Sequence, residues 1–127
     1  MTGRQIRALF PPRLPFKKTS NGIAVGNRKA ELKSGVFRFR NEDGYAKNFA
    51  KQWKQFQTEQ YDHINGTTLS RDRIADATKW KLDDMRGELI LEAGCGAGRF
   101  TRLLAESGAD LVSFDYSTAV DISRKMN

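Results

Sequence analysis

One cysteine, one histidine and three prolines are all that the 127 residues contain of these types. A single thiol, Cys95, cannot close an internal disulfide, which suits a reducing compartment, most simply the cytoplasm. With His63 as the one histidine, no cluster of Cys, His, Asp and Glu has metal-ligand spacing, so no metal site is expected. No apolar run approaches the ~18 residues needed to span a bilayer. The start "MTGRQIRALFPPRLPFKK" is basic but lacks a long apolar core and a small-residue cleavage site, so it is not read as a secretory signal. Internal repeats and low-complexity tracts are absent as well. What is left, 39% hydrophobic and 29% charged residues, is the composition of a globular chain of at most one domain.

Acidic residues are scarce in one place only. Residues 1–40 hold Arg4, Arg7, Arg13, Lys17, Lys18, Arg28, Lys29, Lys33, Arg38 and Arg40 against Glu31 alone, while the whole chain carries a net +7. The basicity therefore belongs to the N-terminal part, and the remainder is slightly acidic. Such an arm attracts polyanions, RNA or anionic lipid among them. No aromatic-rich RNA-binding signature accompanies the charge, and a solvated tail is the plainer interpretation.

Pro11, Pro12, Pro15, Gly22 and Gly26 punctuate residues 1–30, which therefore read as a loop-like arm rather than an element. "GVFRFR", residues 35–40, alternates apolar and basic side chains and reads as a short strand, followed by an "NEDG" turn. In "YAKNFAKQWKQF" the aromatic residues Tyr45, Phe49, Trp53 and Phe56 fall on one helical face that must bury against something, either the domain or a ligand pocket that the helix lids. After an Asn65–Gly66 turn, Ser70 is placed to cap a helix to about Lys79, with Asp72 in its first turn. "ELILEA", residues 88–93, reads as a buried parallel strand. "GRFTRLLAESG" follows as a helix with Phe100, Leu103 and Leu104 inward and Gly108 at its C-terminal cap. "DLVSFD" is a second strand ending at Asp115, and Ser117 is placed to cap a last helix. The expected organisation is an arm over residues 1–34, a leader strand and helices over 35–86, and a β-α-β-α segment of an open, parallel α/β sheet over 87–127.

The glycine loop carries the chemistry. In open α/β sheets ligands bind beyond the C-terminal ends of the strands, and here that point is Gly94, Cys95, Gly96, Ala97, Gly98. Gly94 allows the tight turn, Gly96 lets a ligand approach the backbone, and Gly98 opens the helix whose first N–H groups are donors. The dinucleotide fingerprint G-x-G-x-x-G would require glycine at Arg99, so a nicotinamide oxidoreductase is disfavoured. Asp115 ends the second strand, and its carboxylate can accept from both hydroxyls of a ribose. An adenosine-bearing ligand without a required pyrophosphate fits best. Cys95 has no histidine or aspartate in the context of a nucleophile, and Arg99 and Arg102 read as exposed helix charges.

At these residues the chain resembles a family. "LEAGCGAGRFT" with "VSFDYS" resembles motif I and the acidic second-strand end of class I S-adenosylmethionine-dependent methyltransferases. "GYAKNFAKQWKQFQTEQYDHINGTTLSRDRI" is similar to the leader of a bacterial-type subgroup, so the resemblance covers about residues 35–127. It implies an α/β, doubly wound, Rossmann-like fold with an N-terminal helical leader. It implies that Glu92 orients the methionine end of S-adenosylmethionine through its ammonium group or bridging water. Gly94, Cys95 and Gly96 then offer backbone to the amino-acid and ribose portions, Asp115 holds the ribose hydroxyls and Tyr116 packs against adenine. The acceptor is expected to be a small molecule, and no residue stands out as a general base.

Two departures accompany the resemblance. The subgroup often carries a zinc-ribbon-like leader with paired cysteines, and residues 1–34 contain no cysteine. The family's sheet also has more strands than the two expected here, so the fold is expected to be incomplete and the 127-residue chain inactive alone. The rival expectation is a non-catalytic binding module whose basic N-terminal arm engages RNA or another polyanion.

Overall fold

The computed structural model describes residues 16–39, 48, 51–53, 55–56 and 58–127. Four strands come first: β1 (Phe16–Thr19), β2 (Gly22–Val25), β3 (Arg28–Lys33) and β4 (Val36–Arg38), paired in that order as an antiparallel meander. The expectation of an arm without elements is thereby corrected for residues 16–33, which supply three of the four strands. Of the glycines that read as punctuation, Gly22 opens β2 and Gly26 makes a hairpin turn. Gly26 turns β2 into β3 at φ 57°, and Ser34 and Gly35, both with positive φ (51° and 80°), turn β3 into β4 as a type I′ turn demands. Alternation places Ile23, Val25 and Ala30 on one face, where they are buried with Phe37 and Phe39 packed against them. The "GVFRFR" strand forms as expected over its first part, Val36–Arg38.

Of the aromatic helix, Asn48, Lys51, Gln52, Trp53 and Gln55 are helical. Tyr45 and Phe49, like the "NEDG" turn and residues 1–15, lie outside the described residues. Two helices follow, α1 (Asp62–Asn65) and α2 (Leu69–Thr78). Ser70 is not the cap of α2. That position is Thr68, and the exposed N–H groups of Ser70 and Arg71 are instead met by the Asp62 carboxylate at 3.0 Å, an acid from the preceding helix at the positive end of α2.

The second sheet is parallel: β5 (Leu89–Ala93) pairs with β6 (Asp110–Phe114), linked by α3 (Thr101–Glu106) and followed by α4 (Val120–Met126). The expected β-α-β-α order is what forms, in a mixed α/β chain with one antiparallel and one parallel sheet. One face of β5–β6 builds the main core, in which Ile74, Leu82, Ile90 and Leu104 are buried and Phe100, Leu103 and Leu111 pack around them. On the other face Val112 is buried, while Leu91 and Phe114 are about half exposed (50% and 44%). Gly108 ends α3 at φ 86°, as its capping role requires. Ser117 does not cap α4, whose N-cap is Ala119; its hydroxyl accepts from the Ala119 N–H in the turn before the helix. The two sheets meet through α4, where the Arg38 guanidinium on β4 donates to Asp121.

Candidate functional site

The β5–β6 ladder runs past the last strand residue. The Gly94 and Cys95 N–H groups both donate to the Phe114 carbonyl, at 2.8 and 3.1 Å, so the loop leaves the sheet beside Asp115. The Gly96 N–H then donates to Asp115 Oδ2 at 2.7 Å, while Oδ1 accepts from the Ser117 N–H and hydroxyl, both at 2.7 Å. Glu92, four residues back, is half-buried and accepts at Oε2 from the hydroxyls of Thr101 (2.7 Å) and Ser113 (2.6 Å). The residues expected at the site, Glu92, Gly94, Cys95, Gly96 and Asp115, thus come together at one end of the parallel pair. Tyr116 follows Asp115 on the surface, 49% exposed.

The three glycines do different things. Around Gly94 a Cβ would meet no atom within 4 Å, so this backbone is open. A Cβ on Gly96 would lie 3.8 Å from the Trp53 indole, so the aromatic helix covers the glycine that the sequence suggested a ligand would approach. At Gly98 a Cβ would fall 2.4 Å from Ser123 Oγ and 2.5 Å from Asn127 Nδ2, inside any tolerated contact. Gly98 therefore lets the loop press against α4; it does not open α3 as expected, because that helix begins at Thr101 with Phe100 at its N-cap.

The leader ties the loop down. The Tyr61 hydroxyl donates to the Ala97 carbonyl in a buried contact. Arg99 Nε donates to Ser70 Oγ at 2.9 Å, and that hydroxyl donates on to the Gln60 carbonyl at 3.2 Å. Arg99, expected as a plain exposed charge, is half-buried and lies over the Phe100 ring, 5.0 Å from its centroid. Sequence reasoning did not find Trp53, Tyr61, Ser70, Thr101, Ser113 and Ser117 as members of this site. The aromatic period marked Trp53 as needing cover without saying what it would cover, and isolated hydroxyl residues carry no pattern.

Electrostatically the loop is acidic. Burial, then the carboxylates of Glu92 and Asp115, push the Cys95 thiol up to about 12, so it is neutral at ordinary pH and no nucleophile. Tyr61 is likewise raised, by burial and then by Cys95. Among the described residues neither Glu92 nor Asp115 has a cation within ion-pair distance; both are held by neutral donors only. Also among the described residues, no group of three His, Cys, Asp or Glu side chains could hold a metal ion. Among the described residues, two open depressions of about 380 and 530 Å³ surround Trp80 and the start of β5 and are lined by no residue of the glycine loop.

Comparisons with protein-family models, with curated proteins and with solved structures all return no match to this chain. No helix among the described residues is long and apolar enough to cross a membrane.

Proposed function

We propose that the chain is the cofactor-binding part of a class I S-adenosylmethionine-dependent methyltransferase acting on a small-molecule acceptor in the cytoplasm. Its parallel pair is then the start of a doubly wound, Rossmann-like sheet. The observation that supports this most is the pair of half-buried carboxylates, Glu92 and Asp115, that flank a buried glycine loop with no neutralising cation among the described residues. A buried carboxylate gains from an opposite charge, and a ligand bearing an ammonium and a sulfonium supplies two. When bound there, S-adenosylmethionine would supply an electrophilic methyl group: an acceptor nucleophile would bond to the methyl carbon in line as the carbon–sulfur bond breaks and the neutral thioether leaves.

The chain's own residues bind and orient. Asp115 already accepts three hydrogen bonds. A carboxylate has about four lone-pair sites, so a ribose with two hydroxyls shares or displaces one bond. The Gly96 N–H is the candidate to yield, because it lies at the loop apex. Glu92 is pinned at one oxygen by Thr101 and Ser113, which aims the other at the ligand's ammonium group. Gly94 offers open backbone, and Trp53 walls the loop at Gly96. Proximity and orientation of this kind are the main contribution a protein makes to such a transfer.

The test is titration calorimetry of S-adenosylmethionine into the 127-residue chain and its Asp115→Ala variant. Wild type is expected to bind, and the variant to lose about 1–3 kcal/mol, the cost of stranding hydrogen-bonding groups. No binding by the wild type, or equal affinities, would remove the assignment.

A further inference from the structure

The meander divides the basic residues of its strands between its two faces, four on one and two on the other. Residues paired across a ladder share a face, and neighbours along a strand alternate. Lys17 pairs with Ala24 and Ala24 with Lys29, which places both lysines on the face opposite to buried Ile23, Val25 and Ala30. Glu31 and Lys33 follow Lys29 at steps of two on the same side, and Arg38 pairs with Glu31. The strands thus place Lys17, Lys29, Lys33 and Arg38 against Glu31 on this outer face, with Arg38 already engaged by Asp121 of α4, so that Lys17, Lys29 and Lys33 are its available charges. Lys18 and Arg28 pair with Ile23 and Val25 and belong to the other face.

We propose that this outer face of the β1–β4 meander is a nucleic-acid surface that reads the phosphate backbone. Lys17 and Lys29 are exposed and make no ion pair among the described residues, and Lys33 meets Glu31 at 3.2 Å in a pair more than 60% exposed at both ends. Such a pair is weak and opens readily toward a stronger anion. Across two strand spacings Lys17 and Lys29 stand ~10 Å apart, and along β3 Lys29 and Lys33 stand ~13 Å apart. These intervals match about three to four nucleotides at the ~3.4 Å rise of a stacked strand. The uncharged residues of the face are Thr19, Gly22, Ala24 and Val36, none of them a large apolar side chain able to enter a lipid headgroup layer. Without an aromatic side chain among them, the face contacts backbone rather than stacked bases.

Fluorescence anisotropy with a labelled oligouridine, the matching oligothymidine and a duplex, each across a salt titration, tests this on the 127-residue chain. Vesicles of phosphatidylcholine and phosphatidylserine serve as the lipid arm. For Lys17→Gln with Lys29→Gln, the slope of log affinity against log salt on a single strand is expected to fall by about 1.4, about 0.7 for each lysine. Lys18→Gln with Arg28→Gln, two charges removed from the other face, is expected to leave the slope unchanged. Glu31→Gln, which frees Lys33 and removes the one acid that the strands themselves place on this face, is expected to tighten binding, and it gives a reading in the opposite sense to any loss of fold. Three results would each overturn the proposal: no oligonucleotide binding by the wild type, equal losses from the two double variants, or capture by the vesicles without oligonucleotide binding.

Discussion

Alanine at Gly98 separates what a glycine does for its own backbone from what it does for its neighbours. Gly98 has φ 95°, a left-handed conformation that costs an L-residue ~1–2 kcal/mol. Its Cβ would also lie 2.4 Å from Ser123 Oγ and 2.8 Å from Ser123 Cβ. Ser123 is 3% exposed on α4 and has no room to swing away, whereas Asn127 at the same contact is exposed and can move. Overpacking of this kind adds ~1–3 kcal/mol. The total, about 2–5 kcal/mol, is a large fraction of the ~5–15 kcal/mol that holds a domain folded. Gly94 is the control, because its φ of 73° carries the same backbone cost while a Cβ there would touch nothing within 4 Å. Urea unfolding followed by circular dichroism is therefore expected to show Gly98→Ala destabilised by about 1–3 kcal/mol more than Gly94→Ala. Equal losses would refute the packing role and leave both glycines as backbone requirements only.

Two further outcomes are expected. Burial alone would raise the Asp62 carboxyl, but the Ser70 and Arg71 N–H groups and hydroxyls including that of Thr67 outweigh it and hold the pKa below the usual range. Because the folded value is the lower one, the stability it contributes is present at neutral pH and lost as pH falls through that value. Asp62→Ala is expected to cost about 1 kcal/mol at pH 7 in urea unfolding, with the gap to wild type closing below about pH 4. Cys95, raised to about 12, is expected to react with iodoacetamide at pH 9 more than ~100-fold slower in the native chain than in urea; a native rate equal to that of the unfolded thiol would contradict its burial among carboxylates.

The parallel half of the fold was legible in the sequence because its signals are local and strong. "LILEA" reads as a strand because it is an apolar run followed directly by glycines, which can only be a turn, and it pairs in parallel as expected; its expected burial is met at Ile90 alone, because Leu91 and Ala93 lie on the face that is left open. The meander was not legible because its strands are only three to six residues long and mix lysines into both faces. Their apolar alternation amounts to Ile23, Val25 and Ala30, too little for a period to stand out. The recoverable signal was the turns: Gly26–Asn27 and Ser34–Gly35 are hairpin dipeptides eight residues apart, flanked by short alternating runs. The helix starts were misassigned for a different reason. A serine near a helix start looks like a cap from sequence, yet the donors of α2 are met by Asp62, and Ser117 is recruited by Asp115. Which oxygen reaches a given N–H is decided by tertiary placement, which spacing does not encode.

The same tertiary placement bears on how the candidate site works. Much of what a ligand would use is already engaged by the protein: Gly96 by Asp115, the Ala97 carbonyl by Tyr61, one oxygen of Glu92 by two hydroxyls. A neutral ligand would exchange these bonds for others of similar strength and gain little, since a typical exchange nets only ~0.5–1.5 kcal/mol. What the protein's own neutral donors do not supply is positive charge for two neighbouring carboxylates, strongly enough felt that burial and their field together carry Cys95 to about 12. A cation is therefore the ligand with the most to gain at this loop, and the gain scales with its charge rather than with its hydrogen-bonding capacity. On the proposed assignment, S-adenosylmethionine is therefore expected to bind more tightly than its uncharged-sulfur product, and equal affinities for the two in titration calorimetry would count against a charge-driven site at Glu92 and Asp115.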